Sequence, residues 1–268
     1  MRIEKLNENA IENIAYKTIG SNGNIMDAQI PILMGEMSGL PKYIDALIVT
    51  SDLQGIVRKD NHEILLGEVL ADYLPIFTTI ELGLTPQNIG VVLCGDLYAS
   101  LYTRGGLGDV RSVWNQFNKY FKWVIGISGN HDAFGDEKCF QEFKNTEGIY
   151  YFDKKVARID GLKIAGISGI IGKPDRTNRI SKEDYLLCLK NLLLKKPDTL
   201  MIHQPPQNLM ESCNDDEGIS EIIEASNPTL VFCGHFHWKN PLIELSNRSQ
   251  VLNVDSRVVI LLNSCWKK

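Results

Sequence analysis

The sequence has no run of the roughly 18 apolar residues that a membrane-spanning helix needs. Its opening stretch, MRIEKLNENAIENI, lacks the apolar core of a secretory signal. Positive charge is not in excess either, since 28 Lys and Arg against 33 Asp and Glu leave a net charge of −5. A chain so balanced has no global field to draw in DNA, RNA or an anionic membrane. The six cysteines (Cys94, Cys139, Cys188, Cys213, Cys233 and Cys265) include no C-x-x-C pair. They read as reduced thiols rather than a disulfide framework, and the expected location is cytoplasmic.

Three familiar catalytic signatures are also missing. GISGIIGKP (166–174) fails as a P-loop, because its glycine spacing is one too long and proline replaces Ser/Thr. Neither Ser128 nor Ser168 lies in a complete G-x-S-x-G, so there is no serine-hydrolase elbow. RGGLGD resembles a broken dinucleotide fingerprint with no strand leading into it.

What is present is an ordinary globular composition, 44% hydrophobic and 23% charged. Apolar segments are spread evenly, which favours one large domain. Residues 1–42, rich in Asn, Glu, Gly and Ser, read as an N-terminal extension, partly helical, with one compact apolar run at 30–34. Buried-type strands are expected at 43–51, 88–94, 122–128, 199–203 and 229–233, and shorter ones near 150–167 and 242–262. Leu65, Val69, Tyr73 and Phe77 recur every four residues, so 61–82 reads as a helix that Pro75 kinks or splits. Further helices are expected at 110–121 with Asp109 as cap, at 181–195 with Ser181 and Asp184 as a capping-box-like start, and at 216–226. Alternating strands and helices followed by strands alone indicate a mixed-sheet α/β or αββα architecture.

Histidine is scarce, with five in the chain, and four of the five stand just after these strands. The first strand is followed by Asp52 and Gln54, the second by Asp96, and the third by Asn130, His131 and Asp132. His203 ends the fourth, and His235 and His237 follow the fifth in the stretch VFCGHFHW. Sites in open α/β sheets form at the carboxyl ends of strands. A satisfied core histidine accounts for any one of these residues, but chance placement does not account for the set. Mixed Asp, Asn and His donors suit borderline cations such as Mn, Fe or Zn. Two such ions about 3.5–4 Å apart polarise a phosphoryl oxygen and acidify a water, and an unligated histidine beside them can protonate the leaving oxygen.

The ordered set D-x-Q, GD, GNHD, H and GHFH, running from Asp52 to His237, resembles the calcineurin-like metallophosphoesterase superfamily. The resemblance implies a four-layer αββα sandwich of two packed mixed sheets flanked by helices, with residues 43–268 as the metallophosphoesterase domain. It implies two divalent metal ions (Mn, Fe or Zn, with Mg as an option). Asp52, Gln54, Asp96 and His237 would hold the first; Asp96, Asn130, His203 and His235 would hold the second, with Asp96 bridging. A hydroxide shared by the ions would attack phosphorus, His131 would be the general acid and Asp132 would orient it. The expected activity is hydrolysis of a phosphomonoester or phosphodiester, with a phosphorylated small molecule as substrate.

Two departures qualify that picture. The family usually has histidine where this chain has Gln54, whose neutral amide is a harder and weaker donor. Gln54 either ligates directly or hydrogen-bonds a bound water. The segment after GD reads GDLYAS, without the Asp-Arg-Gly of the protein phosphatases, and GNHD replaces GNHE, so that branch is disfavoured. Arg104, in the glycine-rich loop after Asp96, is either a phosphate-binding fork or a solvated arginine. Lys173, Arg176 and Arg179 are further candidates for the cleft, whereas His62 reads as a surface residue. Two rival functions remain: a nuclease, which the acidic balance opposes, and a catalytically weakened binding module, for which Gln54 is the single argument.

Overall fold

The computed structural model of the chain describes residues 1–60, 62–208 and 216–266. Two sheets lie face to face with helices on both outer sides, the expected αββα sandwich. The first has ten strands, with Ile149–Tyr151, Trp123–Gly126, Ile89–Leu93, Ala46–Ser51, Arg257–Asn263 and Ile25–Ser38 in that order from one edge. The second has six, ordered Lys155–Ile159, Leu162–Ile167, Thr199–Ile202, Leu230–Cys233, Gln250–Asn253 and Leu242–Glu244.

Strand periodicity builds the layers. Successive side chains leave a strand on opposite faces, and here both faces are covered. From Ala46–Ser51, Ile48 points into the helix-facing core, while Leu47 and Val49 point between the sheets. Val91 and Val92 divide in the same way, as do Ile260 and Val259. In the second sheet Leu230 and Phe232 face inward, whereas Val231 and Cys233 face the outer helices. Strands buried on both faces must read as continuous apolar runs, which is why these were legible.

Helices α1 (Leu66–Ile80), α2 (Arg111–Asn118) and α3 (Glu137–Lys144) cover the first sheet through residues such as Leu70, Trp114 and Phe143. Helices α4 (Lys182–Leu193) and α5 (Glu217–Glu224) cover the second through Tyr185, Leu189, Ile219 and Ile223. The α4 cap matches expectation, with the Ser181 hydroxyl accepting the Asp184 N–H. No helix among the described residues is long and apolar enough to cross a membrane.

Three local expectations need correction. Residues 1–42 are not partly helical: Arg2–Leu6, Glu12–Ile19 and Ile25–Ser38 are strands of the first sheet. Ile25–Ser38 pairs in parallel with Arg257–Asn263, so its partner lies more than 200 residues away and local pattern gave no sign of it. The helix expected at 61–82 starts at Leu66, because His62–Leu65 pairs antiparallel with Ile56–Lys59; residue 61 lies outside the described residues. Pro75 sits inside α1 without splitting it. Asp109 accepts the Arg111 N–H at 3.0 Å, yet the capping position of α2 is Val110.

Candidate metal centre

The parallel strands of both sheets end at one edge, and the chain turns sharply there. Asp52, Asp96 and His235 adopt left-handed backbone conformations, with φ of 54°, 53° and 70°. Such angles are uncommon outside glycine and gather at functional sites. They let each residue double back over the sheet edge. Gly95 and Gly129 make room for this: a Cβ on Gly129 would lie 2.0 Å from Asp96 Oδ1, and one on Gly95 would lie 2.3 Å from the Gly129 nitrogen.

Asp96, His203 and His235 form the tight cluster, each offering a ligand atom within 4.8 Å of the other two. His203 is fully buried and its Nδ1 lies 2.7 Å from the Cys94 carbonyl, so Nδ1 carries the proton and Nε2 faces Asp96. Nε2 is 3.2 Å from Asp96 Oδ2 but makes no hydrogen bond of acceptable geometry. The His131 N–H donates to Asp96 Oδ1 at 2.8 Å, and the His131 ring nitrogen Nε2 stands 3.9 Å from Oδ2. Gln54 turns its amide nitrogen to Asp96 Oδ2 at 3.5 Å, and a flip of the amide would present oxygen instead. Asp52 accepts the Ser51 hydroxyl at 2.7 Å and the His235 N–H at 2.9 Å, which ties the first strand end to the last. Asn130 is 7% exposed, and its Oδ1 is buried with no hydrogen-bond partner.

Several expected roles change. Asp132 does not hold the His131 ring: its carboxylate accepts backbone N–H groups of Asp96, Leu97 and Gly129 at 2.7–2.8 Å. It shapes the two loops that present Asp96 and His131. His237 stands apart from the cluster. Its side chain is 57% exposed, Nδ1 is 3.3 Å from Asp255 Oδ1, and Arg257 Nη2 reaches Nε2 at 2.8 Å. Arg104 is exposed on its loop, and the neighbouring Gly105 lies against the His131 ring.

Two supporting residues escaped the sequence reading. Asn178, left-handed at φ 54°, donates its amide to the carbonyls of Gly129 and Asp132 and so ties loop 168–180 to the GNHD turn. An Asn inside a Gly/Pro-rich loop was the available signal. Asp255 lies two residues past the strand Gln250–Asn253, faces His237 at 3.3 Å, and belongs to no motif of the family.

Electrostatics give the cluster its chemistry. Asp52, Asp96, Asp132 and Asp255 are each at most 8% exposed. Among the described residues, Asp96 pairs with His203 and His131 and Asp255 with His237, while Asp52 and Asp132 have no ion-pair partner. Burial, then the Asp255 charge, pushes the Asp52 carboxyl well up. Burial and then Asp96 raise Asp132 to about 6. Burial opposes the His203 cation, but Asp96 and Asp52 outweigh it and lift the imidazole to about 10. Burial, then His203, lowers His235 to about 4. A buried group of carboxylates this short of positive charge is costly unless cations join it. The orphaned Asn130 Oδ1 and the inward His203 Nε2 are the donors such cations would use, so the residues fit divalent metal.

An αββα sandwich with carboxylate, amide and imidazole donors converging at its strand ends is the architecture of a metal-dependent phosphoesterase. Residues 47–239 match the calcineurin-like phosphoesterase family, and the chain belongs to it. That family depends on divalent metal. No curated protein matches the sequence. Among solved structures, TT1561 of Thermus thermophilus aligns with a TM-score of 0.56 at 16% identity, covering 80% of this chain and 90% of that one. A hypothetical protein from the same organism aligns at 0.45 and 14% identity, over 78% of this chain and 75% of that one. An archaeal phosphodiesterase aligns at 0.37 and 16% identity, over 78% and 83%.

Proposed function

We propose that this chain hydrolyses small phosphoesters, monoester or diester, with two divalent cations held at the strand ends. The observation that carries the reading is the shared focus of Asp96, His203 and His235, with the unpartnered Asn130 Oδ1 in the adjoining GNHD turn. Asp96, Asn130, His203 and His235 would hold one ion; Asp52, Gln54 and Asp96 would contribute to the other. When bound, the pair supplies Lewis acidity and a water acidified towards neutrality.

The chain's own groups do the rest. His131 lines the opening with its ring partly exposed and 3.9 Å from Asp96, too far for a hydrogen bond. It is therefore available to hand a proton to the departing oxygen. Asp132 and Asn178 keep the turn carrying His131 in place through backbone contacts. Arg104, next to the Gly105 that touches the His131 ring, would take a substrate phosphate oxygen with its planar fork.

A cavity of about 1430 Å³ opens beside His237, and none of Asp96, His131, His203 and His235 lines it. Among the described residues its lining carries Glu4, Glu8, Glu217, Glu221, Glu224 and Glu244 against Arg2, Lys5, Lys239 and Arg257. The net charge of −5 disfavours a long polyanion, which supports a small substrate over nucleic acid. A cytoplasmic setting suits a chain whose six cysteines include no C-x-x-C pair; Cys213 lies outside the described residues.

The test is a panel of aryl phosphate monoesters and diesters offered to chelated protein with Mn, Fe, Zn or Mg added separately. Metal-restored hydrolysis is expected. No turnover with any ion would remove the reading in favour of a binding module, and salt-sensitive binding and cleavage of oligonucleotides would favour the nuclease.

A further inference from the structure

His131 has a proton to deliver, yet no hydrogen bond fixes its ring. Asp132 is committed to backbone N–H groups. Among the described residues neither ring nitrogen of His131 makes a hydrogen bond, and Asp96 Oδ2 stands 3.9 Å from Nε2. The backbone beneath the ring is clamped on both sides. Its N–H donates to Asp96 Oδ1 at 2.8 Å, and its carbonyl accepts the Gly108 N–H at 3.2 Å. Only the side-chain torsions are left open. The second torsion of a histidine has a broad well, so packing has to set the plane of the imidazole.

That packing comes from RGGLGD (104–109), the segment that resembled a broken dinucleotide fingerprint. Gly105 is left-handed at φ 66°, and a carbon added there would lie 3.2 Å from His131 Cε1 and 3.8 and 3.9 Å from Nε2 and Nδ1. Gly105 therefore faces the corner of the ring between its two nitrogens. A side chain at this position would strain the backbone and press on the imidazole. The segment behind it is well anchored. Gly108–Asp109 pairs in parallel with Asp132–Ala133, and the Val110 N–H donates to the Ala133 carbonyl at 3.0 Å. Tyr98, itself packed on the core, lies so close to Gly108 that an added carbon would stand 2.1 Å from its ring. Nearer the loop tip the Tyr102 hydroxyl reaches Glu63 at 3.4 Å. The loop that leaves Asp96 is thus tied down before it passes His131 and again after.

We propose that Gly105 is a positioning residue for the general acid: its bare backbone braces the Cε1 corner of His131 and holds the ring with Nε2 on the Asp96 side. The inference rests on the reading of His131 as the acid of a phosphoesterase. It gives the glycine-rich segment a role other than nucleotide binding. It also makes the cost of disturbing Gly105 depend on how much the departing oxygen needs a proton.

The experiment compares kcat and KM for phenyl and para-nitrophenyl phosphoesters in metal-loaded wild type, Gly105→Ala and Gly106→Ala. Nitrophenolate departs without a proton, whereas phenolate is a poorer leaving group that draws on the acid. Gly105→Ala should lose about tenfold in kcat on the phenyl ester, the scale of a misplacement well under an ångström. On the nitrophenyl ester it should lose about twofold or less, with KM and metal content unchanged. Gly106→Ala, whose added carbon meets nothing closer than 3.5 Å, should match wild type on both. In a His131→Ala background, Gly105→Ala should cost nothing further on either ester, the non-additivity of two residues acting through one group. An equal loss on both esters, a further loss in the His131→Ala background, or the same selective loss in Gly106→Ala would overturn the proposal and leave the phosphoesterase reading intact. If Gly105→Ala does not fold, nuclear magnetic resonance of Zn²⁺-loaded wild type decides. An Overhauser contact between Gly105 Hα and His131 Hε1 is expected, and its absence would overturn the proposal. Wild type that hydrolyses neither ester with any ion would overturn both.

Discussion

Gly129→Ala probes the centre without removing any ligand. The added carbon would sit 2.0 Å from Asp96 Oδ1 and 2.5 Å from the Asp96 nitrogen. Normal carbon–oxygen contact is about 3.5 Å, so one group must move by more than an ångström. The GNHD turn is held by Asp132 and Asn178, which leaves the Asp96 carboxylate as the group to yield. Its hydrogen bond from the His131 N–H would break, a contact to a charged group worth about 1.5–3 kcal/mol. Since Asp96 is the donor proposed to serve both ions, Mn²⁺ affinity should fall about ten- to hundredfold, matching that energy. Overpacking should also cost about 1–3 kcal/mol of stability. Calorimetric Mn²⁺ titration with thermal melting by circular dichroism reads both effects. Gly106→Ala is the control, because its added carbon meets nothing closer than 3.5 Å. Wild-type affinity in a folded Gly129→Ala protein would refute the placement of Asp96 at the focus.

Other outcomes follow from the same geometry. His131→Ala should lower kcat at least ~100-fold, the scale of lost acid–base catalysis, with metal content unchanged; loss of metal would make His131 a ligand instead. Metal uptake at pH 8 should release about one proton, because His203 is charged below about 10 and ligates only as the neutral ring, whereas His235, lowered to about 4, is already neutral. Affinity should therefore climb as pH rises towards 10, and calorimetry in buffers of different ionisation heat would expose a pH-independent affinity. The same shift fixes a sign for ion-free stability: the His203 charge contributes fully below 6.5, and that contribution is lost as pH rises through about 10. Asp132→Asn leaves one acceptor oxygen for three N–H groups, so Tm should fall by an amount matching about 1–3 kcal/mol per orphaned N–H.

The site was legible in the sequence where strand and donor adjoin. Each central strand is an uninterrupted apolar run because both its faces are covered, and the donor follows within a few residues, as with LIVTSD and VVLCGD. That juxtaposition fixed the αββα layers and the focus on Asp96, His203 and His235 together. The first 42 residues were opaque for the opposite reason. Glu12–Ile19 is at most half-buried, with Ile14 and Tyr16 packing on the core, and the pairing of Ile25–Ser38 with Arg257–Asn263 is set by contacts distant in sequence. Hairpin 56–65 was hidden because Leu65, spaced like a helical residue, pairs across to Ile56. Asp132 and His237 were placed by resemblance, and only three-dimensional contacts show what each touches.

Anomalous diffraction from Mn²⁺-soaked crystals tests the central claim most directly. Two peaks about 3.5–4 Å apart are expected, straddling Asp96, with His203, His235 and Asn130 on one and Asp52 and Gln54 on the other. A single surface peak, or none at the strand ends, would contradict the account.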